Sequence, residues 1–285
     1  MIATTGFFDG VHSGHRLVIE RLVSLAHARG DESLVVTFWP HPRAVLQDGA
    51  RELRLLNTLE EKKGLLRDLG VYRVEVLDFT RSFAALTAER YLREVLRDRF
   101  GVTTLVVGYD NRLGSDRLTA AGLKPIAEGL GLELIETESF GSVSSTVVRN
   151  ALGRGAVEQA NEMLGYDYSL TGVVVAGNRL GRTLGFPTAN MKLYEPLKLV
   201  PARGVYCVEA KVLGKTYRGM TNIGVRPTVG GTMQSIETHI LDFDEDIYGL
   251  PLTVTFLRRL RDEIHFPTLA ALTAQLEKDR DSCRD

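Results

Sequence analysis

Two histidines three residues apart, His12 and His15, stand in the segment Gly6-Phe7-Phe8-Asp9-Gly10-Val11-His12-Ser13-Gly14-His15. At that spacing both imidazoles can point at one phosphate from the first turn of a helix. There they can donate hydrogen bonds to oxygens that gain charge in a transition state. Gly6, Gly10 and Gly14 let the backbone turn and approach a ligand, and a helix N-terminus offers it free N–H groups and a positive dipole. A metal site is the rival for a histidine pair, but no third or fourth ligand of matching spacing accompanies this one. A second dense segment runs from Gly177 to Asn190, with Gly177, Gly181 and Gly185 at every fourth position. It holds no Gly-Lys-Ser/Thr and so is not a Walker A loop. Glycine-rich backbone can still wrap phosphates through its N–H groups. Thr188 and Asn190 add neutral oxygens suited to Mg²⁺ shared with nucleotide phosphates. The same composition also suits a glycine-rich surface turn. In the third segment, Ser144, Ser145 and Thr146 can cap a helix that carries Arg149 one turn in, either as a plain cap or as a second phosphate cradle.

The surrounding patterns say what must position these groups. Up to about residue 165, short apolar runs at Ile2–Thr5, Leu34–Trp39, Tyr72–Leu77, Thr103–Val107 and Leu132–Ile135 alternate with helical periodicity. Leu34, Val35 and Val36 are apolar in succession, as in a parallel strand covered on both faces. The stretch Gly14–Ala28 predicts a helix, and Thr58 with Glu61 predicts a capping box. Tyr91, Leu92, Val95 and Leu96 predict a further helix that stops at Phe100-Gly101. Strand and helix in alternation give an open, doubly wound α/β fold, in which ligands bind outside the carboxyl ends of the strands. After residue 166, Tyr206, Val208, Ala210 and Val212 alternate with Cys207, Glu209 and Lys211. Frequent Gly and Pro then read as a barrel or sandwich of short strands. A last helix carries Leu269, Leu272 and Leu276 on one face. Two domains are expected, 1–165 and 166–285.

The composition excludes several classes. The 285 residues carry 35 Lys+Arg against 36 Asp+Glu, a net charge of −1, which argues against a nucleic-acid surface but not against a local basic pocket. No apolar run approaches the roughly 18 residues of a membrane helix, and the start has no cationic leader. The two cysteines, Cys207 and Cys283, lie far apart and are expected to form neither a disulfide framework nor a metal cluster, with a reducing cytoplasm as the default location.

The segment Gly6–His15 resembles the HxGH signature of the nucleotidyltransferase superfamily. In its longer form it is similar to the adenylyltransferase module of prokaryotic bifunctional riboflavin kinase/FAD synthetases. Val35–Pro42 resembles that family's second strand and Pro-His-Pro turn, Val107–Gly114 its pocket loop after the fourth strand, and Ser144–Arg149 its SSTxxR element. Gly181–Asn190 is similar to the riboflavin kinase motif. Gly204-Val205-Tyr206, Asn222-Ile223-Gly224, Arg226-Pro227-Thr228, Glu237-Thr238-His239, Asp242-Phe243, Tyr248-Gly249, Arg261-Asp262-Glu263 and Phe266 follow in the family's order.

The resemblance implies a bifunctional transferase: a riboflavin-kinase β-barrel with a C-terminal helix that makes FMN, and a Rossmann-like domain that adenylylates FMN to FAD and releases pyrophosphate. It implies His12 and His15 as catalytic groups, with Gly6, Phe7, Asp9, Gly10, Gly14, Ser144, Ser145, Thr146 and Arg149 around the nucleotide. In the kinase it implies Glu237 as general base on the 5′-hydroxyl of riboflavin, Gly177, Gly181 and Gly185 as the nucleotide loop, and Thr188 and Asn190 as Mg²⁺ ligands. Without the likeness, Glu237 reads as an outward-facing strand carboxylate. Asp110 and Arg261 fall at the flavin pockets, Arg261 reading equally well as an ion pair with Asp262 or Glu263. The implied partners are riboflavin, FMN, FAD, ATP/ADP and pyrophosphate, with no nucleic acid or membrane, and oligomer formation is left open. Many members have Asp-Phe-Arg-Phe-Gly where this chain has Asp110-Asn111-Arg112-Leu113-Gly114, so the packing of the flavin or adenine ring is expected to differ. Members usually carry a leader before the first strand, so a change is expected at the edge of that sheet.

Overall fold

A computed structural model describes residues 1–46, 53–138, 141, 143–177, 180–228 and 231–284, with backbone alone for 180, 226–228 and 231–233. By contact the chain divides into two compact units, Met1–Ser145 and Thr146–Asp285.

The first unit is a parallel sheet in the order β3-β2-β1-β4-β5. Its strands are β1 (Ile2–Thr5), β2 (Ser33–Trp39), β3 (Arg73–Asp78), β4 (Thr104–Val107) and β5 (Glu133–Glu136). β1 lies at the middle of the sheet and not at its edge, paired with β2 and β4. Leu34, Val35 and Val36 are fully buried, with Val35 packed in one layer and Leu34 and Val36 in the other. A continuous apolar run thus serves two helical faces at once. α1 (Ser13–Arg29) ends on Gly30 in the left-handed conformation, a common helix stop. α2 (Pro42–Leu46) follows β2, and α3 (Leu59–Asp68) opens on the expected box: Thr58 Oγ1 accepts the Glu61 N–H at 3.1 Å, and Glu61 accepts the Thr58 N–H at 2.8 Å. After α4 (Arg81–Ala84) and α5 (Ala88–Arg90), Tyr91–Arg97 winds as a π-helix where the periodicity predicts an α-helix. Its four inward residues, Tyr91, Leu92, Val95 and Leu96, are all buried. α6 (Ala120–Gly129) completes this unit.

Most of α7 (Ser145–Gly153) and all of α8 (Val157–Leu164) belong to the second unit, whose centre is a closed antiparallel barrel in the order β10-β7-β6-β11-β8-β9. Its strands are β6 (Ser169–Val175), β7 (Ala189–Leu193), β8 (Gly204–Val212), β9 (Lys215–Thr228), β10 (Gly231–Ile240) and β11 (Pro251–Arg261). α9 (Leu180–Thr183) precedes β7, and α10 (Leu269–Ser282) closes the chain. Tyr206, Val208, Ala210 and Val212 are buried as the alternation predicts, but so is Cys207 on the opposite face. That face is covered at this end of β8, where Cys207 packs with Phe186, Met220, Leu241, Leu276 and Cys283. The expectation of unpaired cysteines is corrected here: Cys207 and Cys283 form a disulfide, their Cα atoms 5.3 Å apart. Separation along the sequence says nothing about two elements that the fold brings side by side.

Candidate functional sites

In the first unit the chain turns one way from β1 to β2 and the other way from β4 to β5, which opens a crevice at their carboxyl ends. Gly6–His12 fills the link from β1 to α1. Three of its residues adopt left-handed φ: Phe8 at 51°, Gly10 at 84° and Val11 at 38°. For Phe8 and for the β-branched Val11 this conformation costs on the order of 1–3 kcal/mol each. Neighbouring contacts hold it. The Asp9 carboxylate accepts the Leu56 N–H at 3.0 Å and the Asn57 N–H at 3.3 Å. Ser145 Oγ donates to the Asp9 carbonyl at 2.9 Å, and Thr37 Oγ1 to the Phe7 carbonyl at 3.2 Å. Asp9 is buried, and its charge ties the loop to the Leu56 and Asn57 N–H groups.

α1 then starts with no acidic side chain in its first turn. The rings of His12 and His15 stack with centroids 3.7 Å apart, and Phe8 meets His15 edge-on at 5.3 Å. Burial pushes His15 well below the usual histidine range, with His12 and Lys62 adding repulsion. Its Nδ1 is buried and has no hydrogen-bond partner among the described residues. With His15 held neutral by burial, its ring can still donate an N–H to a phosphate beside His12 at the helix N-terminus. Ser144 and Thr146 are exposed, Arg149 is half-buried, and Thr146 and Arg149 lie on the first turns of α7.

On the other side of β1, a cavity of about 520 Å³ is walled by Phe7, Phe38, Phe79, Phe83, Tyr91 and residues 111–115. Phe38, Phe79, Phe83 and Tyr91 meet at centroid distances of 5.6–6.4 Å, and Tyr91 is fixed by Thr5 Oγ1 at 2.7 Å. Aromatic surface is therefore present although Asn111 and Leu113 carry none. Leu113 is buried in the core, and Asp110 is exposed. Sequence reading missed these four rings, since their spacing suits an ordinary core.

In the second unit, cross-strand register assembles the site. Glu237 pairs with Asn190 on one side and Asn222 on the other, so the three share the outer face of the barrel. Glu237 thus faces outward, as its strand position alone predicts, but here the outer face lines a cavity of about 570 Å³ walled also by α10. Phe186, Val205, Met220, Phe266, Leu272 and Leu276 supply its apolar lining, with Thr188, Glu237 and Arg261 as polar groups. A smaller cavity of about 260 Å³, lined by Arg182, Phe243 and Tyr248 among others, shares Thr188 with it. Gly177 lies against Asn190: a Cβ there would sit 2.2 Å from the amide nitrogen. Gly181 lies within α9 and Gly185 just beyond it, and Asn178 and Arg179 lie outside the described residues.

His239 secures this wall. Its Nδ1 donates to the Pro187 carbonyl at 2.8 Å, and its ring meets Phe186 at 5.2 Å. Register shifts in β11 between Phe256 and Arg258 and between Arg259 and Arg261 re-aim Arg261. Its ion pair is with Asp279 of α10, at 2.7 Å, and with neither Asp262 nor Glu263. Gln275 donates to the same carboxylate at 2.8 Å. Asp279 was not singled out from the sequence, where nothing distinguishes it from the other charges of a solvated helix. Among the described residues no group of three or more His, Cys, Asp or Glu could hold a metal ion, and no helix is long and apolar enough to cross a membrane.

Comparison with known proteins covers both units. Residues 1–151 match the FAD synthetase family and residues 164–285 the riboflavin kinase family. The bifunctional riboflavin kinase/FMN adenylyltransferase of Escherichia coli K12 is 37% identical over 100% of this chain and 92% of its own length. Its Listeria monocytogenes counterpart is 36% identical over 99% of this chain and 91% of its own. A crystal structure from Streptococcus pneumoniae, named a macrolide-efflux protein, superposes with a TM-score of 0.92 at 32% identity, covering 100% of this chain and 93% of that one.

Proposed function

This chain belongs to the bifunctional riboflavin kinase/FMN adenylyltransferase family, and from that premise we propose how its two sites divide the work. It phosphorylates riboflavin to FMN and joins FMN to the AMP part of ATP, giving FAD. We assign adenylylation to residues 1–165 and the kinase reaction to residues 166–285. The observation that carries the first assignment is the His12–His15 stack at the mouth of a strained, N–H-rich loop.

In the adenylyltransferase the triphosphate lies over Gly6–Gly14, with His12 and His15 donating to the oxygens that gain charge as pyrophosphate leaves. The Ser144, Ser145, Thr146 and Arg149 element is the second phosphate cradle. Asp9 acts by clamping the loop. The isoalloxazine ring of FMN takes the aromatic cavity beside Phe38 and Tyr91.

In the kinase, riboflavin takes the apolar cavity under α10 and ATP the smaller one across Thr188. Glu237, on the flavin side, accepts the proton of the attacking 5′-hydroxyl. Thr188 and Asn190 fit Mg²⁺ by the chemistry of their neutral oxygens, and the missing Cβ of Gly177 lets the Asn190 amide pack against the loop backbone. When bound, the ion would neutralise charge on the transferring phosphates. An ATP-consuming enzyme of this kind belongs in the cytoplasm, where the Cys207–Cys283 pair is subject to reduction.

Chromatography of products from riboflavin and ATP tests the whole reading, with FMN and then FAD expected. His12→Ala with His15→Ala should abolish FAD formation and spare FMN formation, and Glu237→Ala should do the reverse. Loss of both activities from either variant, with the fold intact, would overturn the two-site assignment.

A further inference from the structure

Lys62 of α3 is a lysine with no exposed surface, buried within reach of the histidine loop. Its ammonium sits 3.6 Å from the centroid of the Phe7 ring and 3.5 Å from Thr37 Oγ1. Thr37, also fully buried, passes its own hydrogen to the Phe7 carbonyl at 3.2 Å. The cation is therefore tied to the loop twice, through the face of the Phe7 ring and through a two-step chain to the backbone. Among the described residues no carboxylate stands within ion-pair distance of it. An ammonium taken out of water without a direct counter-ion is costly to the fold, and an apolar side chain of similar volume commonly replaces such a charge at no loss or at a gain in stability. A core position that keeps it points to a use other than stability.

We propose that Lys62 is a positioning residue of the adenylyltransferase site, a fixed positive charge beneath the histidine loop that holds Phe7 and its carbonyl in place for the triphosphate of ATP. The proposal rests on the assignment of the triphosphate to Gly6–Gly14. Three physical effects follow. The cation–π contact sets the Phe7 ring, the Thr37 relay orients the backbone that leads into left-handed Phe8, and the charge adds to the positive end of α1 where water cannot screen it. Burial pushes Lys62 down to about 8, with Asp9 pulling the other way, so the ammonium form predominates at neutral pH. The same charge adds to the repulsion that keeps His15 neutral. Lys62 reaches no ligand itself and acts through Phe7 and His15.

The test compares Lys62→Met and Thr37→Val in the full chain. Lys62→Met keeps the volume and removes the charge. Its kcat/KM for ATP in FAD formation should fall at least tenfold, with the KM for FMN and the rate of riboflavin phosphorylation within twofold of the parent. Its first-unit melting temperature should be equal to or above the parent's. Thr37→Val, which cuts only the relay, should show the same pattern with a loss of about threefold. A Lys62→Met protein as active as the parent overturns the proposal. So does one whose melting temperature falls along with its activity, because that is the mark of a purely structural lysine. A parent protein that makes FMN but no FAD would instead remove the assignment underneath, whatever Lys62 does.

Discussion

The two proposed sites are held together in opposite ways. The first-unit loop is held from below by buried polar groups: the Asp9 carboxylate on the Leu56 and Asn57 N–H groups, Thr37 and Ser145 on its carbonyls, and Lys62 under Phe7. The second-unit cavity is formed from single side chains on β7, β9 and β10, roofed by a helix fastened by Arg261–Asp279, by Arg258 on the Ser282 carbonyl and by Cys207–Cys283. A strained loop stays strained only if its surroundings over-determine it, and this one is reached from several elements. A roof needs only anchors. The first arrangement suits a rigid phosphate cradle, the second a chamber whose cover can be loosened without disturbing the barrel.

Removing the covalent anchor should have the largest effect on stability. Cys207→Ser or Cys283→Ser opens a link across a sequence separation of 76 residues, which in the loop-closure account lowers stability by about 4.5 kcal/mol. Only the second unit should respond. Chemical denaturation followed by flavin-site fluorescence in the second unit and by FAD synthesis for the first would show this. A fall in both together would mean that the cover is not confined to one site.

The strongest effect expected on catalysis alone lies in the first site. His15→Ala should lower FAD formation by about 10²–10³-fold, roughly 3–4 kcal/mol of transition-state stabilisation, the scale of one preorganised donor. FMN formation should not change. Asp279→Asn gives a smaller effect in the second site. It keeps the shape but weakens the hold on Arg261, by about 1.5–3 kcal/mol for a hydrogen bond to a charged group, and should raise the KM for riboflavin more than it lowers kcat. An unchanged KM would show that Arg261 does not depend on α10.

The same contrast explains what could be read from the sequence. His12 and His15 are neighbours along the chain, so their spacing on a helix start already carries the chemistry. The run Leu34-Val35-Val36 declares a strand covered on both faces by composition alone. Glu237, Asn222 and Asn190 become neighbours only through register, and nothing local says that the outer face of this barrel is roofed. Resemblance to a family supplied that step. Asp279, Lys62 and the Cys207–Cys283 pair escaped for a related reason. A charge on a polar helix, a lysine at the start of an amphipathic one and two distant cysteines look ordinary until the fold sets them against Arg261, Phe7 and each other. The π-helical turn at Tyr91–Arg97 escaped because its buried positions also fit a distorted α-helical stripe.

Acid should separate the two units by the smallest margin, and the sign follows from burial. His15 titrates well below its usual value because of burial, His12 and Lys62, while His239 is lowered less, by burial and Arg280 against the pull of the Pro187 carbonyl and Asp242. In each case the unfolded chain takes up a proton near pH 6.5 that the folded chain refuses. Stability is therefore fully present above that pH and declines as pH falls through it, by at most about 1.4 kcal/mol per pH unit for one group. His15 resists protonation further down, so the first unit should lose more between pH 6.5 and 5 than the second. Melting curves across that range check it, with His15→Asn flattening the acid slope of the first transition and His239→Asn that of the second. An acid slope in the first unit that survives His15→Asn would place its origin elsewhere in the loop and weaken the picture of a loop built around a neutral His15.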